Sequence, residues 1–423
     1  MIARLAVRAD RVFDLRPGER ARVAGLFAVS LAFGFGLSAM EIAVLTSLLA
    51  SGAPDGIPWA QVVVGATVLV AGGLLTLLRA RLSPAAFVGA PVVLLGGAAL
   101  LVLPQQVADA PALPGLLLLI ASHGVLSAVA MVAFWTLAGR ALDVAQSARL
   151  YGLVSAGELV GIALAGLLAA PMRAAFDLPV LLAGSLALLT LTGLALLPFA
   201  RTVQAGSDCE EAPPAAAAAP LERAHVARCV AYYSAYNLTY YLIEFTLFVA
   251  IQRAWSGQPE AIAAALGALT ALRVGVGVAF RLFFTGRMLA RFGLGMGLAS
   301  TPVAVLGLCG LGLLALPLAG SVLVAAFALS VGESAARNGL GKPAFMAAQR
   351  PLSSAPRERT VTLMETVVEP LTTGLAGASI LLLPVAWLSG PALLLVPIPT
   401  ALAWLAAAAA LGRSYRRLPA AHA

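Results

Sequence analysis

Charge is scarce in this chain. Lys, Arg, Asp and Glu make up 11% of 423 residues against 61% hydrophobic ones, and the mean hydropathy is +0.96. A soluble globular chain is about a quarter charged, so a soluble enzyme or binding domain is excluded. Lysine is almost missing: Lys342 stands alone, and arginine carries the positive charge. The three cysteines, Cys209, Cys229 and Cys309, have neither metal-ligand nor CxxC spacing, which argues against a disulfide framework or a zinc site. Of the three histidines only His123 falls in an apolar run, so a histidine metal site is not expected. There is no phosphate-binding GxxxxGK[ST], no HExxH and no plausible nucleophile triad. Gly293-Leu-Gly295-Met-Gly297 imitates a glycine-rich loop but follows no strand. Neither an enzyme nor a cofactor is expected.

What the chain has is apolar length. Windows of about 20 apolar residues place about twelve spans, at 23–50, 60–78, 85–104, 114–138, 150–170, 178–200, 228–252, 260–284, 294–317, 319–337, 360–383 and 389–411. The implied fold is all-α and polytopic, with two pseudo-symmetric six-helix bundles. Residues 1–22 read as a basic amphipathic N-terminal segment, 23–200 as the first bundle, and 201–227 as a cytoplasmic linker. Residues 228–411 read as the second bundle and 412–423 as a tail. The loop 338–359, rich in Gly and Pro, is expected to hold one short helix around Ala344 to Arg350.

A net charge of +8 could suggest nucleic acid. The arginines instead crowd into alternate connections and both termini, as in Arg79, Arg81, Arg140, Arg149, Arg201, Arg287, Arg291, Arg350, Arg413 and Arg416. Trp59, Trp255 and Trp387 lie at the opposite edge. That asymmetry orients a membrane protein with both termini in the cytoplasm. The lipid bilayer is the expected environment, a bacterial inner membrane, and no nucleic-acid partner is expected.

The two halves carry matching polar positions. Glu41 in the first span corresponds to Glu244 in the seventh. Glu158 corresponds to Glu369, with Ala165-Gly166 over Ala376-Gly377. A carboxylate facing lipid at mid-span costs about 3 kcal/mol or more, so these residues should face a polar cavity or a partner. The seventh span also holds five of the seven tyrosines, at 232, 233, 236, 240 and 241. Tyr233, Asn237, Tyr240 and Glu244 fall near one helical face.

The substrate- or proton-binding candidates are Glu41, Glu158, Glu244, Glu365, Glu369, Arg273, Arg281, Tyr233, Asn237, Tyr240 and His123. Glu365 and Glu369 are i,i+4, and Pro370 after them interrupts the helix's hydrogen bonding. Arg140, Glu333, Arg337, Gly286, Arg291 and Gly293 are gating or structural candidates. The competing reading is that Glu–Arg pairs lock helices together and that tyrosines and His123 simply pack. Gly161, Gly166, Gly374 and Gly377 read as sites of close helix approach.

Residues 286–293, Gly-Arg-Met-Leu-Ala-Arg-Phe-Gly, resemble the cytoplasmic loop signature of the major facilitator superfamily, with Gly286, Arg291 and Gly293 matching. A narrower resemblance is to the bacterial branch of the nucleotide (ATP:ADP) antiporter family. It is carried by Arg16-Pro17-Gly18-Glu19, Phe134-Trp135, Ala145-Gln146, Arg149-Leu150-Tyr151-Gly152, Ala156-Gly157 and Gly161, and by the stretch from Arg337 to Pro370. The resemblance implies a transporter working by rocking of two bundles. Glu41 stands where nucleotide exchangers carry basic residues, and an acidic mid-membrane balance disfavours a polyanion.

The expected function is therefore proton-coupled secondary transport of a small neutral, zwitterionic or cationic organic solute. One alternative is a nucleotide or phosphorylated-metabolite exchanger with Arg273 and Arg281 on phosphate. The other is a non-transporting scaffold or sensor that docks a partner protein at loops 201–225 and 338–359.

Overall fold

The computed structural model describes residues 16, 19–53, 55–79, 93, 95–97, 99, 112–142, 144–204, 220–319, 321–352, 354–384 and 390–417. The expected third span lies largely outside these residues, as do most of segment 1–22, the middle of the linker and the end of the tail. Among the described residues every regular element is helical. In chain order they are α1 (Arg20–Ala50), α2 (Gly56–Arg79), α3 (Leu113–Ala141), α4 (Val144–Ala175), α5 (Leu178–Gln204), α6 (Pro220–Trp255), α7 (Pro259–Phe283), α8 (Thr285–Ala319), α9 (Val322–Ala336), α10 (Lys342–Ala348), α11 (Ser354–Leu363), α12 (Glu369–Leu381) and α13 (Ile398–Tyr415). Among the described residues eight helices are long and apolar enough to cross a membrane. Every expected span apart from the third is met by a helix.

Two spans differ in their interior from the sequence reading. The loop expected at 338–359 is mostly helix. A π-helical turn, Arg337–Gly341, joins α9 directly to α10, and the chain leaves the helix only after Ala348. Packing overrides the glycines here: the Thr285 hydroxyl hydrogen-bonds the Gly339 carbonyl, and a Cβ at Gly339 would strike the Phe280 ring. A second π-turn, Met364–Val368, joins α11 to α12, and the Glu369 N–H bonds the Met364 carbonyl across it. Pro370, which has no N–H, follows this widened turn without breaking the rod. The last span also starts late, with a 3₁₀ segment at Gly390–Leu395 before α13. α8 kinks at Gly293, where φ is 75° and ψ 174°, a left-handed conformation that a side chain would strain.

The chain packs as two compact units. One is drawn from residues 1–47, 73–210 and 266–271, the other from 48–72, 211–265 and 272–423. In the first, α1 and α4 touch backbone to backbone: a Cβ at Gly157 would lie 2.5 Å from the Phe27 carbonyl oxygen, and one at Gly161 would overlap that of Leu31. The Phe134, Trp135 and Tyr151 of the antiporter-like motif form one edge-to-face series with Phe33, with centroids 5.2–6.4 Å apart. The Arg16–Glu19 motif closes the start of α1: Glu19 accepts from the Arg16 N–H at 2.9 Å and from Gln146 at 3.1 Å. Arg22 donates to the Ala141 carbonyl at the end of α3.

In the second unit, α2 and α12 also meet closely. A Cβ at Gly377 would overlap the Pro58 carbonyl oxygen, and one at Gly65 would lie 2.5 Å from that of Pro370. The core centres on Trp404, Tyr232 and Phe345. α6 has 36 residues, roughly 54 Å at 1.5 Å per residue, against a bilayer core of about 30 Å. Its first turns therefore project beyond the span.

There the buried His225 donates from Nε2 to the Ala348 carbonyl at 2.8 Å, which leaves Nδ1 to accept from the Ser414 hydroxyl at 2.9 Å. Arg228 donates to the same hydroxyl. Burial pushes the His225 pKa below its ordinary 6.5, and the Arg228 charge adds to this, although the Ala348 bond opposes it. A histidine held neutral in the fold contributes stability above the unfolded value, and that contribution is lost as pH falls toward the folded value. The melting temperature should therefore drop as pH falls below about 6.5, the ordinary histidine value, and less steeply in His225→Gln. An equal slope in the variant would remove His225 from the account.

Candidate functional site

The polar interior of the second unit is built by four helices. α6 supplies Tyr233, Tyr236, Asn237, Tyr240, Tyr241 and Glu244. α7 supplies Arg273. α9 and its π-turn supply Ser330, Glu333, Ser334, Arg337 and Asn338, and α12 supplies Glu369.

Arg273 forms an ion pair with Glu244 and also donates to the Ser330 hydroxyl. Arg337 donates from Nε to Glu333 at 2.7 Å, and its guanidinium lies over the Tyr240 ring at 4.9 Å and near that of Tyr236 at 5.9 Å. Asn338 donates to Ser334 at 3.1 Å. The Tyr233 hydroxyl donates to Glu369 Oε2 at 2.7 Å. Glu333 is fully buried and Glu244 is 8% exposed.

Burying a charge costs several kcal/mol unless it is paired, and pairing returns this only with good geometry and further hydrogen bonds. The two arginines meet that condition in different ways. Arg273 bridges α6, α7 and α9, whereas Arg337 pairs within one turn and rests on aromatic faces. Within this cluster three buried polar atoms still lack a hydrogen-bond partner among the described residues: Asn237 Nδ2, Arg273 Nε and Glu333 Oε2. The tyrosines pack mainly on one another and on the core: Tyr233 stacks on Phe345, and Tyr236 leans on Trp404.

The structure thus brings together Tyr233, Asn237, Tyr240, Glu244, Arg273, Glu333, Arg337 and Glu369. The remaining candidates are placed as follows. Glu41 and Glu158 belong to the first unit, where the Glu158 backbone packs on Gly34. His123 is half-buried in α3. Glu365 is exposed in the π-turn that leads to half-buried Glu369, within the field of that carboxylate and of Lys342. Arg281 is exposed at the end of α7, and Arg291 is exposed beside Phe292 and the Gly293 kink. The side chain of Arg140 and the environment of Gly286 lie outside the described residues. Among the described residues no three His, Cys, Asp or Glu side chains converge as a metal site would require.

Ser330, Ser334 and Asn338 were missed by the sequence reading. Their signal was present, because Ser330, Glu333/Ser334 and Arg337/Asn338 recur at helical spacing as one polar stripe.

Long apolar helices are the architecture of an integral membrane protein, and their arrangement is similar to that of solved transporters of the major facilitator type. Solved structures with this architecture include the nucleoside transporter NupG (TM-score 0.63, 14% identity, covering 93% of this chain and 99% of that one). A bacterial homologue of the iron transporter ferroportin in an inward-facing state is similar at TM-score 0.68 and 15% identity, over 94% and 99% of the two chains. A POT family transporter in complex with 5-aminolevulinic acid is similar at 0.69 and 11%, over 94% and 96%. At such identities the likeness concerns the fold. No protein-family model matches the chain, and neither does any curated protein.

Proposed function

We propose that the protein is a secondary transporter working by alternating access, coupled to protons, for a small neutral, zwitterionic or cationic organic solute. The observation that carries this reading is the buried chain of ionisable groups on α6, α7, α9 and α12. Charges inside a membrane protein are costly and are retained where they bind solutes or relay protons. Glu244 and Glu369 are the first-choice carboxylates, with Glu41 and Glu158 as their counterparts in the first half, and both termini face the cytoplasm. The solved neighbours, all transporters of small solutes by their descriptions, fit this reading. Nucleotide exchange has less support, because Arg273 is engaged by Glu244 and Ser330 and is not free to hold phosphate.

The test is uptake into proteoliposomes of a labelled panel of amines, amino acids, nucleosides and nucleotides, with and without an imposed pH gradient. Accumulation of a non-anionic solute that appears only with the gradient is expected. Gradient-independent uptake would remove proton coupling. Movement of no solute at all would remove transport.

A further inference from the structure

We infer that the solute carries a cationic nitrogen, an amine or quaternary ammonium, that docks on Glu369. This rests on the transport reading above and narrows its solute class. Within the second unit, Glu244 is matched by Arg273 and Glu333 by Arg337. Glu369 has no such match: among the described residues its side chain is met by the Tyr233 hydroxyl and by no cation within ion-pair distance. One phenol hydrogen bond orients a carboxylate without neutralising it. A bound ammonium group would both pair with the charge and accept the partly buried setting.

The surroundings suit that group. Tyr233 reaches the carboxylate directly, and the Tyr241 hydroxyl lies by Thr373 within the field of Glu369. Aromatic rings beside a carboxylate attract organic cations through their electron-rich faces. A further feature points the same way. The Asn237 side chain is 2% exposed and its amide borders the Tyr233 hydroxyl, with no well-formed hydrogen bond to its Nδ2 among the described residues. A small turn of that amide would offer a donor to an oxygen on the same solute. An anion finds no free arginine in this cluster, and a neutral solute would leave the Glu369 charge to be matched by a proton alone.

The experiment uses the full chain in lipid nanodiscs. Binding of tyramine, choline and agmatine is measured by calorimetry, and tyramine is set against its neutral alcohol, 4-(2-hydroxyethyl)phenol. At least one amine is expected to bind, and tyramine to bind about tenfold tighter than its alcohol or better, as a charge-assisted contact should. Glu369→Gln should erase that preference. Gly152→Ala, in the first unit and with nothing near its missing Cβ, should retain it, and a melting temperature of Glu369→Gln equal to the parent's separates loss of the carboxylate from a folding defect. Equal binding of amine and alcohol, preference intact in Glu369→Gln, or no amine binding at all would overturn the inference. Uptake of a neutral solute in the same preparation would then leave the transport reading standing, whereas uptake of nothing would remove both.

Discussion

Glu244→Gln is expected to abolish solute uptake and, by stranding the Arg273 charge, to cost roughly 3 kcal/mol of stability, the scale for breaking a buried pair. Arg273→Met should cost a similar amount by stranding Glu244, which is only 8% exposed. The informative protein is the double variant. With both charges gone there is nothing left to compensate, and an apolar replacement of a buried pair is often neutral or better. The double variant should therefore melt near the parent temperature while transporting nothing. Thermal unfolding and proteoliposome uptake, measured on the three variants, separate the two roles of the pair. If uptake returns together with stability in the double variant, the pair is a strut between α6 and α7, and the site must be sought elsewhere.

Gly161→Val should be the most damaging single change in the first unit. The added carbon would overlap the Leu31 carbonyl oxygen and come within 2.7 Å of the Phe35 nitrogen. These are backbone atoms of α1 and cannot rotate aside as a side chain would. Gly157, one turn earlier, already sits against the Phe27 carbonyl, so the two helices cannot re-seat locally. Overpacking a well-filled core typically costs about 1–3 kcal/mol. A forced separation of two backbones should reach the top of that range or exceed it, seen as lost monodisperse protein and a lower melting temperature. Gly152, on the same helix with nothing near its missing Cβ, provides the control. Gly152→Ala should be neutral or slightly stabilising, because alanine is the better helix former. Unchanged melting of Gly161→Val would show that α1 and α4 are not in backbone contact.

The sequence exposed the helical architecture because apolar length is a strong local signal, and α1, α2, α5 and α7 begin and end within a few residues of where hydropathy places them. It misread 338–348 because Gly339, Gly341 and Pro343 are ordinary loop punctuation. What keeps that stretch helical is non-local: the Phe280 ring and the Thr285 hydroxyl against Gly339. The same limit applies to the site. Glu244, Arg273, Glu333 and Arg337 stood out as charges among apolar residues. The i,i+4 spacing made Glu333–Arg337 legible as a pair. Glu244–Arg273, on different helices, required the tertiary structure. Glu365 and Glu369 keep their i,i+4 neighbourhood, since Glu365 lies within the field of Glu369, but the π-turn between them is announced by no residue type. Glycine spacing was more informative, and Gly161, Gly166 and Gly377 each lie against a neighbouring backbone.

The two ion pairs have an electrical consequence. A membrane potential acts on net charge, by about 2.3 kcal/mol per elementary charge for every 100 mV crossed. Glu244 with Arg273, and Glu333 with Arg337, each sum to zero, so these four residues can change position within the field without work being done on them. Any current or voltage dependence arising in this unit must come from charges outside the pairs, among them Glu365, Glu369 and the Lys342 whose charge acts on Glu365, and from whatever they carry. The paired arginines thus add nothing to the electrical signature of the unit while they stay paired.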